Sequence, residues 1–154
     1  MIAVLQRVYG ATVYADGALS GSIGNGLYIL LGVEQGDTEL DASLLCEKIS
    51  KLRIFSDAND KLNLSVMDVG GEALVVSNFT LSANYSHGNR PDYLRAAPPD
   101  TANRLYEHFI DLMKNKVKKV ESGVFGADMR TELSTDGPIT IVMNSELLKK
   151  GKNK

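Results

Sequence analysis

Ala73-Leu74-Val75-Val76-Ser77-Asn78-Phe79-Thr80-Leu81 is the stretch whose reading decides the fold. An unbroken apolar run reads as a buried strand. It ends on two hydroxyls and an amide rather than on a turn of glycine or charge. Asp136-Gly137-Pro138-Ile139-Thr140 is its counterpart. There a Gly-Pro step opens the apolar run from Ile139 to Met143, and proline is tolerated at the first residue of a strand. Taken alone, Ser77 and Thr80 read equally well as a strand end that satisfies nearby backbone groups. Gly137-Pro138 reads equally well as an ordinary turn. The combination also suits a site built largely from backbone.

Working outward, the chain opens in strands. Ile2–Val8 and Ala11–Tyr14 carry strand residues, and Asp16-Gly17 is a tight hairpin signal. Gly24-Asn25-Gly26 turns into Leu27–Val33, a core strand. Gly21 to Gly26 is not a dinucleotide-binding loop, because its glycines lead into a strand and not a helix N-terminus. Thr38, with Asp41 three residues on, marks a helix start, and Ala42, Leu45, Ile49 and Leu52 share one helical face. Leu62–Val69 and Glu72–Thr80 read as hairpin arms around Gly70-Gly71. Asp100 is the expected cap of a second helix with Ala102, Leu105, Phe109 and Leu112 on its buried stripe. Asn115 is the expected left-handed stop. Strands over Val117–Glu121, Met129–Leu133 and Pro138–Met143 complete an α+β fold, a mostly antiparallel, barrel-like sheet with two main helices. The expected organisation is one domain over residues 1–148 and a Lys-rich tail over 149–154.

The composition narrows the function classes. With 154 residues, 44% hydrophobic and 23% charged, the chain fits one globular domain. No apolar run reaches membrane-spanning length, and the first residues lack the basic start of a signal peptide. The cytosol is the expected compartment. A net charge of −2 argues against a broad nucleic-acid-coating surface. It leaves room for gripping a few nucleotides. Lysines gather at Lys114, Lys116, Lys118 and Lys119, and again from Lys149 onward.

Catalytic side chains are scarce. There are two histidines, His87 in a polar loop and His108 beside the second helix's apolar stripe, and one cysteine, Cys46, which reads as core. No metal-ligand spacing, phosphate loop or Gly-x-Ser-x-Gly elbow occurs. No metal or cofactor is expected.

Read together, these segments resemble one family. The likeness runs through Gln6-Arg7-Val8, Gly21 to Gly32, Leu52-Arg53-Ile54-Phe55-Ser56-Asp57, Asn63-Leu64-Ser65-Val66 and Asp68-Val69-Gly70-Gly71. It continues through Val75 to Leu81, Arg90-Pro91, Gly123 to Met129 and Asp136 to Thr140. In order and at matching spacing, they are similar to the D-aminoacyl-tRNA deacylases of the bacterial and eukaryotic type. The resemblance implies hydrolysis of the ester of D-aminoacyl-tRNA, and of mischarged glycyl-tRNA, by a homodimer with sites at its interface. It implies that Ser77, Asn78, Phe79 and Thr80 of one subunit face Gly137 and Pro138 of the other, joined by a cis bond. Arg7 would brace that turn, and Phe125 and Met129 would line the pocket. Asn78 stands where the family usually has Gln, and Thr135 where it usually has Asn. Two other readings remain: a nucleic-acid-binding module without turnover, and a small esterase with Ser77 or Thr80 as nucleophile.

Overall fold

The computed structural model describes residues 1–151. Its spine is one long strand, β1 (Ile2–Ala15), which joins the two opening strands expected from sequence. The first half of β1 pairs with β3 (Gly26–Gly32) and the second half with β2 (Ala18–Ile23), both antiparallel. Between β1 and β2, Asp16 and Gly17 both take positive φ, +48° and +84°, which is the turn matching the twist of a two-residue hairpin. Along its other edge β1 pairs antiparallel with β8 (Met129–Asn144), a continuous strand where two were expected.

Beyond β3 the sheet turns parallel. β6 (Glu72–Ser77) pairs with β3, and β7 (Val120–Ser122) with β6. β7 then curls back towards β2, where Ser20 Oγ donates to Ser122 O at 2.9 Å. A Cβ on Gly21 would lie 2.9 Å from Glu121 Cβ, so this near-closure requires glycine. The product is the expected barrel-like α+β fold.

Both faces of β3 and β6 are covered, which explains their unbroken apolar runs. Leu27, Ile29, Leu31, Ala73 and Val75 face the helices; Tyr28, Leu74 and Val76 face the barrel interior with Val8 and Val13. The helices are α1 (Glu39–Lys51) and α2 (Pro99–Lys114), with a short third, α3 (Ser145–Gly151). The Thr38–Asp41 capping box forms as read. Lys149 and Lys150 lie on α3; Lys152 and Lys154 lie outside the described residues.

Four local expectations are corrected. Leu62–Val69 is not an arm of a hairpin with Glu72–Thr80. Only β5 (Leu62–Leu64) is extended, and it pairs with β4 (Phe55–Ser56). The chain then coils because Asp68 accepts from both the backbone and the hydroxyl of Ser65. The second expected arm ends at Ser77, where a 3-10 turn (Phe79–Ser82) begins. Pro98, not Asp100, precedes α2, with Pro99 in its first position, where a missing N–H costs nothing. Asn115 is right-handed, φ −80°, and stops α2 with its side chain on Asp111 O.

Candidate active site

β6 ends where the chain leaves the sheet, and the site begins there. Asn78 N still donates to Leu31 O at 2.9 Å, which fixes the exit. The turn sits so close to β3 that a Cβ on Gly32 would lie 3.0 Å from Asn78 O. Asn78 then caps the 3-10 turn, its Oδ1 accepting from Thr80 N at 3.2 Å and also from the Thr80 hydroxyl. Phe79 is the first residue of that turn, a position whose N–H has no acceptor within the turn.

Ser77, Asn78 and Phe79 form one side of a cavity of about 760 Å³. Phe125 and Met129 lie in its wall, so five residues expected at the site meet around one space. Thr80 is exposed on the turn and does not line it. Much of the remaining wall is Gln35 with Tyr93, Leu94 and Ala96 to Pro99. Sequence reading missed this part, although Pro98-Pro99 marks a stiff segment entering a helix.

Tyr106 supports the cavity from behind. Its hydroxyl donates to Val75 O at 2.9 Å, and its ring lies 6.1 Å from that of Phe125. Burial pushes its phenol up to about 12, against hydrogen bonds with Ser122 and the Ser77 backbone that pull it down. It is therefore a neutral post and not a proton donor at ordinary pH.

No His, Cys, Asp, Glu or Lys is among the described residues that line the cavity. His87 is exposed in its loop, and His108 is half-buried on α2. Burial raises the Cys46 thiol to about 11, which suits its place in the core. Among the described residues, no cluster of three or more His, Cys, Asp or Glu could hold a metal ion, and no helix is long and apolar enough to cross a membrane. A second cavity, of about 880 Å³, lies between the end of α1 and α3. Its described lining is aliphatic and charged, with no hydroxyl, amide or histidine.

The Gly-Pro segment lies elsewhere. Gln6 pairs with Thr140 and Val8 with Thr135, so two steps on β1 face five on β8. The three extra residues bulge out of the ladder and carry Gly137-Pro138, whose peptide bond is cis. Gly137 has φ +126°, and a Cβ there would lie 2.7 Å from Ile139 N, so only glycine fits. Arg7, 8% exposed, holds this bulge. Its Nη2 donates to Asp136 Oδ1 at 3.0 Å and its Nη1 to Ile54 O at 2.8 Å. Its Nε stands 2.9 Å from Asp136 Oδ2, an ion-pair contact off the hydrogen-bonding angle. The Tyr9 phenol is raised by its hydrogen bond to the same carboxylate.

Register measures the separation. Ser77 pairs with Leu31, Leu31 with Ala3, and Ala3 with Met143, one row across four strands. Gly137-Pro138 lies at the level of Arg7 on the far strand. Three strand spacings across and four residues along give about 20 Å over the sheet. The two segments do not meet within one chain, and neither Gly137 nor Pro138 lines the cavity.

Comparison with known proteins gives a consistent result. The model of the family described as "D-Tyr-tRNA(Tyr) deacylase" matches residues 4–144. A Caldicellulosiruptor bescii protein named D-aminoacyl-tRNA deacylase is 51% identical, covering 95% of this chain and 98% of its own. Proteins of the same name from Pelobacter propionicus and Yersinia pestis are 50% and 51% identical, covering 93% and 91% of this chain and 99% and 97% of their own. Among solved structures, one titled "c-Myc DNA Unwinding Element Binding Protein" superposes with a TM-score of 0.88 at 37% identity. It covers 94% of this chain and 98% of its own. Another, titled as a probable eukaryotic D-amino acid tRNA deacylase, gives 0.80 at 13% identity, a likeness of fold. It covers 92% of this chain and 97% of its own.

Proposed function

The chain belongs to the D-Tyr-tRNA(Tyr) deacylase family, and from that premise we propose that it hydrolyses the ester joining a D-amino acid to the 3′ end of tRNA. The observation that carries this reading is the cavity itself. It is lined by Phe79, the first residue of the 3-10 turn, together with Ser77 and Asn78, and by no described His, Cys, Asp, Glu or Lys. An aminoacyl ester is an activated bond. Its hydrolysis needs chiefly a donor aimed at the developing oxyanion, and a turn N–H supplies one. The neighbouring 2′-hydroxyl of the RNA assists the attacking water. The Thr80 hydroxyl donates to an amide carbonyl, which is not a base, so the esterase reading loses Thr80 as an activated nucleophile.

The account of stereochemistry belongs to the same proposal. The working unit is a homodimer, and Gly137-Pro138 of one subunit completes the cavity of the other. The separation of the two segments within one chain supports this. A pocket that accepts many side chains must read the α-carbon. Backbone carbonyls at the Gly-Pro turn bind the α-amino group and leave no room for a side chain in the L direction, which is selection by exclusion. Glycine, with nothing to exclude, is also hydrolysed. Residues 1–148 act as a single catalytic domain in the cytoplasm.

The test is paired hydrolysis of D-tyrosyl-tRNA and L-tyrosyl-tRNA, with glycyl-tRNA alongside. The expected result is release of D-tyrosine and glycine while the L-ester survives. Equal rates on both tyrosyl esters would refute the exclusion. Binding of both without turnover would favour a nucleic-acid-binding module, the reading that the printed title of the 37% identical neighbour suggests.

A further inference from the structure

The mouth of the cavity carries three exposed apolar side chains side by side. Phe79 is 57% exposed, Tyr93 36% and Leu94 77%, and all three border the cavity. The Phe79 and Tyr93 rings meet edge to face, centroids 5.1 Å apart at 77°. None of the 3-10 turn's hydrogen bonds requires an aromatic side chain at position 79.

This patch is held stiffly. Ala96 bridges to Glu34, and Ala97 N donates to Val33 O at 3.0 Å, tying the segment to the end of β3. Gln35 N donates to Arg95 O at 2.8 Å and Gln35 Nε2 to Leu94 O at 2.6 Å. On the other side, Asp92 and Asn84 exchange backbone hydrogen bonds of 2.8 and 3.0 Å. Preformed apolar surface of this kind binds without an ordering cost. The segment also carries cations: Arg90 is exposed, and Arg95 is 61% exposed beside Glu34.

We propose that Phe79, Tyr93 and Leu94 form a stacking shelf for a base of the unpaired RNA strand leading into the cavity, the nucleotide before the terminal adenosine. The inference rests on the functional reading above. If the aminoacyl end occupies the cavity, the strand behind it must cross the rim, and the shelf lies there. An aromatic face stacks a base without reading its edges, so the shelf needs no hydrogen-bond donor or acceptor of its own to hold the strand. Arg90 supplies charge for the accompanying phosphates, while Arg95 is paired with Glu34.

The experiment compares the wild-type chain, Tyr93→Ala and Tyr93→Phe on D-tyrosyl-tRNA and on D-tyrosyl-adenosine, which lacks the preceding nucleotide. Loss of one stacked base is expected to raise KM for the tRNA roughly tenfold in Tyr93→Ala. Because Tyr93 also borders the cavity, KM for D-tyrosyl-adenosine can shift too, but its rise should be about threefold or more smaller than that for the tRNA, and Tyr93→Phe should restore both. A second readout needs no turnover: 2-aminopurine at the preceding position of a single-stranded RNA is quenched on the wild-type chain and not on Tyr93→Ala. Equal losses on both substrates, no loss on either, or no quenching by the wild type would overturn the shelf. So would a shift to monomer on Tyr93→Ala, since a second copy would then cover the patch. Quenching without release of D-tyrosine would keep the shelf and remove the deacylase reading.

Discussion

Asn78 shows how one residue changes the chemistry of its neighbours. Its carbonyl holds both the N–H and the hydroxyl of Thr80, leaving Thr80 as a structural part of the turn. Thr80→Ala should therefore keep kcat on D-tyrosyl-tRNA within about threefold, the effect of one exposed hydrogen bond. A fall to background would restore Thr80 as nucleophile. Arg7 is the opposite case, a buried cation whose hydrogen bonds go to Asp136 and Ile54 O. Arg7→Lys cannot reproduce that fork. It should lower kcat at least tenfold and weaken discrimination against L-tyrosyl-tRNA, while circular dichroism stays native. Unchanged kcat and selectivity would remove Arg7 from the positioning machinery.

At the scale of elements, α3 is tied down by charge. Asp41 is fully buried, accepts from the Ser145 hydroxyl and lies 2.7 Å from the Lys149 ammonium. Burial alone would raise its carboxyl, but Lys149, Ser145 and the Thr38 backbone outweigh it and hold it at about 2. A carboxyl depressed on folding stabilises the native state above its ordinary value near 3.8, and that stability is lost as pH falls towards 2. Asp41→Asn should cost about 2 kcal/mol at neutral pH and flatten the acid limb of the stability curve between about pH 4 and 2. Urea titrations across that range decide it, and an unchanged limb would contradict the pairing. Gly26 is a second such point. A Cβ there would lie 1.9 Å from Glu72 O, so Gly26→Ala should cost several kcal/mol, by about the scale of backbone overpacking, and thermal melting would show it.

Much of this level was legible in sequence. Apolar runs gave β3 and β6, Asp16-Gly17 gave the first hairpin, and Thr38 with Asp41 gave the start of α1. What misled were segments whose local pattern loses to tertiary pairing. Leu62–Val69 has strand composition, but Ser65 and Asp68 bond each other and coil it. Nothing local says that β6 pairs parallel with β3 across α1, because that pairing is long-range. The site was half legible. Ser77 to Phe79, Phe125 and Met129 converge on the cavity, whereas Gln35, Tyr93, Leu94 and Ala96 to Pro99 enter its wall through contacts that no motif announces.

At the scale of the whole molecule, the proposed active site is a property of two chains. The 3-10 turn and the Gly-Pro bulge lie about 20 Å apart over one sheet, and two-fold symmetry would create two equivalent composite sites. Complementation between two inactive variants tests this most directly. One is Phe79→Pro, which removes the N–H at the turn. The other is Gly137→Val, which the bulge cannot accommodate. Each homodimer should fail on D-tyrosyl-tRNA. After mixing and subunit exchange, half the dimers are mixed, and each has one intact site, so about a quarter of wild-type activity should return, still confined to the D-ester. Exchange verified by mass spectrometry with no recovery of activity would contradict the composite site.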